Sequence, residues 1–177
     1  MESSLPVRPA TLADTEALVA LVNSAYRGAS SKVGWTTEAD LLGGQRIDAA
    51  MLREQIDAPQ SMILVHEADG EIVACVALER GEADCYLGML TIRPGLQSAG
   101  LGSRLLAAAE QIAAERWRAG SIYMTVIEQR TELIGWYERR GYVRTGEYRP
   151  FPYGDPRYGL PKRPDLRFAV LRKSLGA

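Results

Sequence analysis

Apolar positions along the chain change period several times, and each change marks an element. Residues 5–9 read as a short extended start. Thr11 and Asp14 then stand at capping-box spacing, with Asp in the place of the usual Glu. Leu12, Leu18, Leu21, Val22 and Ala25 follow at helical intervals. The small and polar residues 27–34 predict a loop. Thr37 suits an N-cap, with Glu38 and Asp40 near the positive end of a helix dipole, and Gly43-Gly44 is expected to end that helix. Residues 48–56 carry Met51, Leu52 and Ile56 on one side, and Pro59 closes the segment.

The next stretches alternate or run apolar. Residues 61–66 and 72–78 are β-prone, and Asp69-Gly70 between them signals a hairpin. Residues 85–92 form a third run, ended by Arg93-Pro94. From Gly100 the period turns helical, with Leu101, Leu105, Leu106, Ala109, Ile112, Ala113 and Trp117 on one face and Gly120 as the expected stop. Residues 122–127 read as a buried strand, 130–140 as a helix closed by Gly141, 142–148 as a strand and 166–171 as the last strand. A loop rich in Pro, Gly and aromatics occupies 150–164. A hairpin-rich first half followed by strand–helix–strand–helix–strand predicts a mixed α/β (α+β) architecture with a partly antiparallel sheet. No repeat or low-complexity tract interrupts it, so residues 1–177 read as a single domain.

Composition narrows the function classes. Hydrophobic residues make up 46% and charged residues 24% of the 177, the mix of a folded globular chain. Lys plus Arg (21) nearly cancel Asp plus Glu (22), for a net charge of -1. Neither a nucleic-acid surface nor an acidic-membrane surface is expected on that balance. No apolar run approaches a membrane span, and the start Met-Glu-Ser-Ser-Leu-Pro lacks the features of a signal peptide. Two cysteines and one histidine leave little material for disulfides or a metal site, and none is expected. Free cysteines and the missing targeting segment point to a cytoplasmic protein.

The segment with chemical content is Leu90-Thr91-Ile92-Arg93-Pro94-Gly95-Leu96-Gln97-Ser98-Ala99-Gly100-Leu101-Gly102-Ser103. A strand runs into a glycine-containing turn that opens a long helix. The first helical turn has unpaired N–H groups, and glycines let an anion approach that backbone closely. The helix dipole favours the same anion, so a diphosphate suits the site. The plainer alternative is a strand–helix turn that needs small residues for packing. A Walker loop does not fit, because Ser103-Arg104 stands where Lys-Ser or Lys-Thr is needed. A dinucleotide fingerprint fits poorly, since its third glycine position holds Leu105.

Gln97-Ser98-Ala99-Gly100-Leu101-Gly102 resembles the Gln/Arg-x-x-Gly-x-Gly/Ala signature of the GNAT superfamily of N-acetyltransferases. Downstream, Trp136-Tyr137-Glu138-Arg139-Arg140-Gly141-Tyr142 is similar to that family's Tyr-Glu-x-x-Gly-Phe/Tyr element. The resemblance implies a mixed, largely antiparallel sheet flanked by helices and splayed between its fourth and fifth strands, holding acetyl-CoA as acyl donor. Backbone amides of Gln97, Ser98, Ala99, Gly100, Leu101 and Gly102, with Ser103, would hold the pyrophosphate. Leu90, Thr91 and Ile92 would lie on the strand that pairs with the pantetheine arm and polarises the thioester carbonyl. The implied reaction is direct acetyl transfer to the primary amine of a small-molecule or amino acid-like acceptor, with Tyr137 as the acid that protonates the thiolate. A protein or peptide acceptor, or a CoA-binding module without catalysis, are the alternatives. Periodicity alone makes Tyr137 a core residue beside Ile134.

The family's base is less legible. Tyr86 stands where many members carry Glu, and Arg130 where many carry Asn. Asp84, Glu82, Glu79 and Glu128 are nearby carboxylates, each equally explained as a solvated surface charge. Arg130 suits contact with the cofactor, with an acidic substrate or with local backbone. His66, Cys75 and Cys85 read as structural. Trp35-Thr36-Thr37-Glu38 and the loop from Phe151 to Tyr158 are candidates for the acceptor pocket, the alternatives being core packing for the first and a homodimer contact or an inert loop for the second.

Overall fold

The computed structural model describes residues 4–26, 39, 41–97 and 100–176. The expected loop at 27–34, the Thr37 cap with Glu38 and Asp40, and the Trp35–Glu38 candidate lie outside the described residues. In chain order the elements are β1 (Arg8–Pro9), a 3-10 turn (Leu12–Asp14), α1 (Thr15–Tyr26), β2 (Leu42–Gly43), α2 (Ala49–Asp57), β3 (Ser61–Ala68), β4 (Glu71–Arg80), β5 (Asp84–Ile92), α3 (Leu101–Arg116), β6 (Ser121–Ile127), α4 (Thr131–Glu138), β7 (Val143–Pro150), a second 3-10 turn (Pro156–Tyr158), β8 (Leu160–Pro161) and β9 (Arg167–Ser174).

Local chemistry explains most boundaries. Asp69 and Gly70 both take positive φ (54° and 79°), which matches the turn to the twist of β3 and β4. Asp48 caps α2, its Oδ1 accepting from the Met51 amide at 2.8 Å. The Thr11 amide donates to Asp14 Oδ2 at 2.8 Å, so the predicted cap is present, but Leu12 is 50% exposed and sits in the 3-10 turn rather than on the helix face. Leu42–Gly43, after the helix expected from Thr37, pairs with β8 as a separate two-stranded sheet. One further expectation is corrected. The turn after α3 is made by Arg118 (φ 53°), two residues before Gly120, because the Ala119 amide reaches back to the Ala113 carbonyl.

The main sheet has seven strands in the order β1-β3-β4-β5-β6-β9-β7. All neighbours are antiparallel except β5 and β6. β9 therefore inserts between β6 and β7, which are consecutive strands in the chain. Helices α1 and α2 cover one face, where Leu18, Leu21, Val22 and Leu52 pack on Ile63, Val65, Cys75 and Ala77. Helices α3 and α4 cover the other, where Leu105, Leu106, Ala109, Ala113 and Ile134 pack on Val76, Leu78, Leu87 and Met124. The central strand β4 is buried from Val73 to Leu78, as a strand sandwiched between helix layers must be.

The parallel pair is short. β5 meets β6 only at Asp84–Ser121, Cys85–Ile122 and Tyr86–Tyr123, after which the two strands diverge. These are the fourth and fifth strands of the large sheet, so the expected splay is the observed one.

Candidate active site

The alternation along β5 slips by one residue at Met89. Cys85 and Leu87 face α3, Met89 packs with α1 and α2, and Leu90 and Ile92 return to the α3 side. The register agrees: Cys75 opposes Thr91 and Ala77 opposes Gly88, leaving Met89 and Leu90 against Val76 alone. Met89 takes φ 56°, unusual for a side chain of its kind. Such a bulge bends its strand and leaves a residue out of the ladder. Local bonds hold it: the Thr91 hydroxyl donates to the Met89 carbonyl at 2.9 Å, and the Tyr26 hydroxyl donates to the Leu90 carbonyl at 2.8 Å.

Two cavities fill the wedge that opens beyond Tyr86 and Tyr123. The larger, about 260 Å³, is walled by β5 and β6, by Arg46, and by Phe151, Pro152 and Tyr158 of the aromatic loop. The smaller, about 70 Å³, is bounded by Thr91, Ile92, Gln97, Gly102 and Trp136. Tyr26, Leu90, Arg130, Leu133 and Tyr137 border both. The cavities therefore meet beside the bulge.

The smaller cavity ends at the N-terminus of α3. Gly100 is its N-cap in the left-handed region (φ 75°), a conformation that favours glycine. A Cβ on Gly100 would meet open space, whereas one on Gly102 would lie 3.3 Å from Trp136 Cζ2. Gly102 thus serves the approach of the Trp136 indole, and Gly100 serves the turn. The Gln97 side chain reaches the Ile92 carbonyl at 3.4 Å, and Leu101 packs on the core. Ser98 and Ala99 lie outside the described residues. Ser103 accepts from Arg140 Nε at 2.8 Å. The same guanidinium donates to the Trp136 carbonyl at 2.8 Å and stacks 3.7 Å from the indole centroid.

Tyr137 projects from α4 to the junction of the cavities, 5% exposed. Its ring packs edge-on to Trp136 and Tyr142. Burial pushes its phenol above the ordinary value, aided by the Tyr26 phenol and opposed by the Arg130 guanidinium. It is therefore a protonated donor throughout the neutral range. Tyr86 reaches Thr125 Oγ1 at 3.4 Å, and its ring lies over Gly88, where a Cβ would come within 3.0 Å.

No carboxylate borders either cavity among the described residues. Glu128 is engaged by Arg167 at 2.7 Å, which holds its carboxyl below the usual range, and Asp84 meets Arg172 at 3.4 Å. Glu79 and Glu82 are exposed. His66 Nδ1 contacts the Pro6 carbonyl at 2.8 Å. Burial pushes the thiols of Cys75 and Cys85 up to about 12 and about 11, so neither is a nucleophile at neutral pH. Among the described residues no group of three or more His, Cys, Asp or Glu gathers as a metal site, and no helix is long and apolar enough to cross a membrane.

Two side chains at the cavities, Tyr26 and Arg46, carry no signal in the primary sequence, and neither does Arg140 on Trp136 and Ser103. They come from distant segments and meet only in the fold. The bulge itself was detectable, since Cys85 and Leu87 fall out of phase with Leu90 and Ile92.

Comparison with known proteins agrees with this geometry. The sequence profile of the acetyltransferase (GNAT) domain matches residues 35–151. A search of curated proteins returns none that matches this chain. Among solved structures, yncA from Salmonella typhimurium, a putative acetyltransferase determined with its cofactor acetyl-CoA, superposes with a TM-score of 0.69 at 19% identity, over 99% of this chain and 96% of that one. The ribosomal-protein-S18-alanine N-acetyltransferase from Escherichia coli gives 0.69 at 13% identity, over 97% and 94% of the two chains. Spermidine N-acetyltransferase SpeG from Vibrio cholerae gives 0.67 at 15% identity, over 97% and 95%. At these identities the likeness is one of fold, and the acceptors in those names differ from one another. With the profile covering most of the chain and the splayed sheet, bulge and glycine-capped helix in place, the chain belongs to the GNAT family of N-acetyltransferases.

Proposed function

We propose that this chain transfers the acetyl group of acetyl-CoA directly to the primary amine of a small-molecule or amino acid-like acceptor, within a single domain. The observation that carries the reading is the meeting of two cavities at Leu90 and Tyr137, beside the edge of β5 that β6 leaves unpaired. Leu90, Thr91 and Ile92 offer that edge to an extended pantetheine arm. The amides of Gly100 to Ser103 at the mouth of α3 suit a pyrophosphate, and Arg140, tied to Ser103, adds a fixed positive charge to the same turn. The acetyl-CoA-bound relative of like fold supports this donor.

Acetyl-CoA supplies an activated acyl carbon. The chain supplies three things around it. A backbone amide freed by the Met89–Leu90 bulge polarises the carbonyl oxygen as charge develops there. Tyr137 donates its proton to the departing sulfur. The larger cavity holds the amine as its nitrogen–carbon bond forms and the carbon–sulfur bond breaks. The surplus proton on nitrogen passes to water, and Tyr137 regains one from solvent. Described walls offer the Tyr86 and Thr125 hydroxyls in that cavity and no carboxylate, so the amine reaches the site neutral or loses its proton through water.

A cavity of about 260 Å³ walled by Phe151, Pro152 and Tyr158 favours a small acceptor over a peptide. Tyr86 in place of the expected strand glutamate favours the second reading, a CoA-binding module. The test is thiol release from acetyl-CoA against amino acids, polyamines, aminoglycosides and peptides. Turnover with small amines supports transfer. Calorimetric binding of acetyl-CoA with no thiol release for any amine supports the module, and turnover confined to peptides overturns the small-acceptor assignment.

A further inference from the structure

We infer that the acceptor carries an oxyanion close to its amine, as the carboxylate of an α-amino acid does, and that Arg46 and Arg130 bind it. The inference rests on the acetyl-transfer reading above and goes further by naming the charge of the substrate.

Both arginines border the larger cavity, and both face the same ring. The guanidinium carbons of Arg46 and Arg130 lie 5.4 and 5.8 Å from the centroid of Tyr26. Tyr26 in turn is held to β5 by its hydrogen bond to the Leu90 carbonyl. Two positive groups thus stand one ring away from the strand that offers its edge to the thioester. In an α-amino acid the carboxylate and the nitrogen are attached to one carbon. A carboxylate held at the guanidiniums therefore keeps the nitrogen within a few bond lengths, near Leu90 and Tyr137.

The arginines are mounted on rigid bases. The Arg46 amide donates to Asn23 Oδ1 at 2.7 Å, and Asn23 also binds Ile47 through both its amide and carbonyl groups. Arg130 directly precedes α4, with its amide on the Ile127 carbonyl at 2.9 Å and its carbonyl accepting from Ile134 at 3.0 Å. Arg130 is 8% exposed, so its charge is little screened. A guanidinium remains charged at any working pH, and its planar fork matches a carboxylate. A polyamine would instead place ammonium groups against two like charges, which selects against it.

Matched pairs test the inference: phenylalanine against 2-phenylethylamine, and methionine against 3-(methylthio)propylamine, with spermidine as the cationic extreme. The amino acid is expected to exceed its decarboxylated partner in kcat/KM by about 10- to 100-fold, the value of charge-assisted hydrogen bonds to one carboxylate. Arg46→Gln is expected to collapse that ratio, mostly through KM, and Arg46→Lys to restore part of it. Acetyl-CoA binding by calorimetry reports whether each variant is folded, and if Arg130→Gln fails to fold the decision rests on Arg46 alone. Equal or better turnover of the decarboxylated amines or spermidine, or a ratio untouched by Arg46→Gln, overturns the inference while acetyl transfer stands. Absence of thiol release with every amine overturns both.

Discussion

The two cavities are built from different materials. Apart from Ala25 and Tyr26 of α1, the smaller is lined by residues between Leu90 and Tyr137: a strand edge, a helix N-terminus and the Gly102 contact with Trp136. The larger draws on side chains from α1, from Arg46, from β6 and from the loop after β7. Backbone amides are the same in every sequence, so the donor side can be reused for one cofactor across many acceptors. Side chains from unconnected segments can vary independently, so the acceptor side is where specificity is set. The residues bordering both cavities, Tyr137 among them, are where the two requirements meet.

The sharpest way to break this division is at the boundary. Tyr137→Phe should lower kcat by about 100-fold or more with little change in KM, as loss of a proton donor does. The same tyrosine governs the pH profile. Burial raises its pKa, so the protonated donor persists to higher pH than a free phenol would allow. The kcat profile should show no alkaline fall up to about pH 10. An unaltered kcat in Tyr137→Phe would remove it from the acid role.

Next in size is a change confined to the donor side. Gly102→Val places branched carbon against Trp136, which a Cβ alone already approaches to 3.3 Å. Overpacking of this kind costs about 1–3 kcal/mol, and the Kd for acetyl-CoA should rise by roughly 10- to 100-fold. Arg140→Met should raise KM for acetyl-CoA by about 10-fold and leave S-acetylpantetheine, which lacks the nucleotide, unaffected. Equal effects on both donors would place Arg140 in folding rather than phosphate binding. The smallest change belongs to the acceptor rim. Tyr158 is 40% exposed, so Tyr158→Ala should alter stability by under about 0.5 kcal/mol. It should shift the relative kcat/KM among amines a few-fold while calorimetry finds the same acetyl-CoA affinity.

Legibility follows the same line. The Asp69-Gly70 hairpin, the Asp48-capped helix and the long face from Leu101 to Trp117 could be read because each is decided within a few residues by turn chemistry or periodicity. Leu12 and Gly120 show the limit even of local rules: position within a turn, and an αL conformation taken up by Arg118 two residues early, were decided by the hydrogen bonds of the completed helix ends. The pairing of β2 with β8 and the insertion of β9 between β6 and β7 leave no periodic trace, since they join segments far apart in the chain. At the site, the Gly100 turn and the family signature were plain. Tyr26, Arg46 and Arg130 were not recognisable as neighbours, because only the packing of α1 and α4 beside the bulge brings them around one ring.

What the amino-acid sequence determined alone was the long helices and strands, though not β2 or β8, and the glycine-capped helix entrance, because backbone conformation there depends on residues a turn apart. What only the tertiary structure decided was the wedge and the charge within it. The strand pairing stops at Tyr86 and Tyr123 because β5 bends at its bulge, and that divergence makes room for arginines drawn from either side of the sheet. A cavity is a property of surfaces that meet, and its polarity is set by side chains that share no stretch of chain.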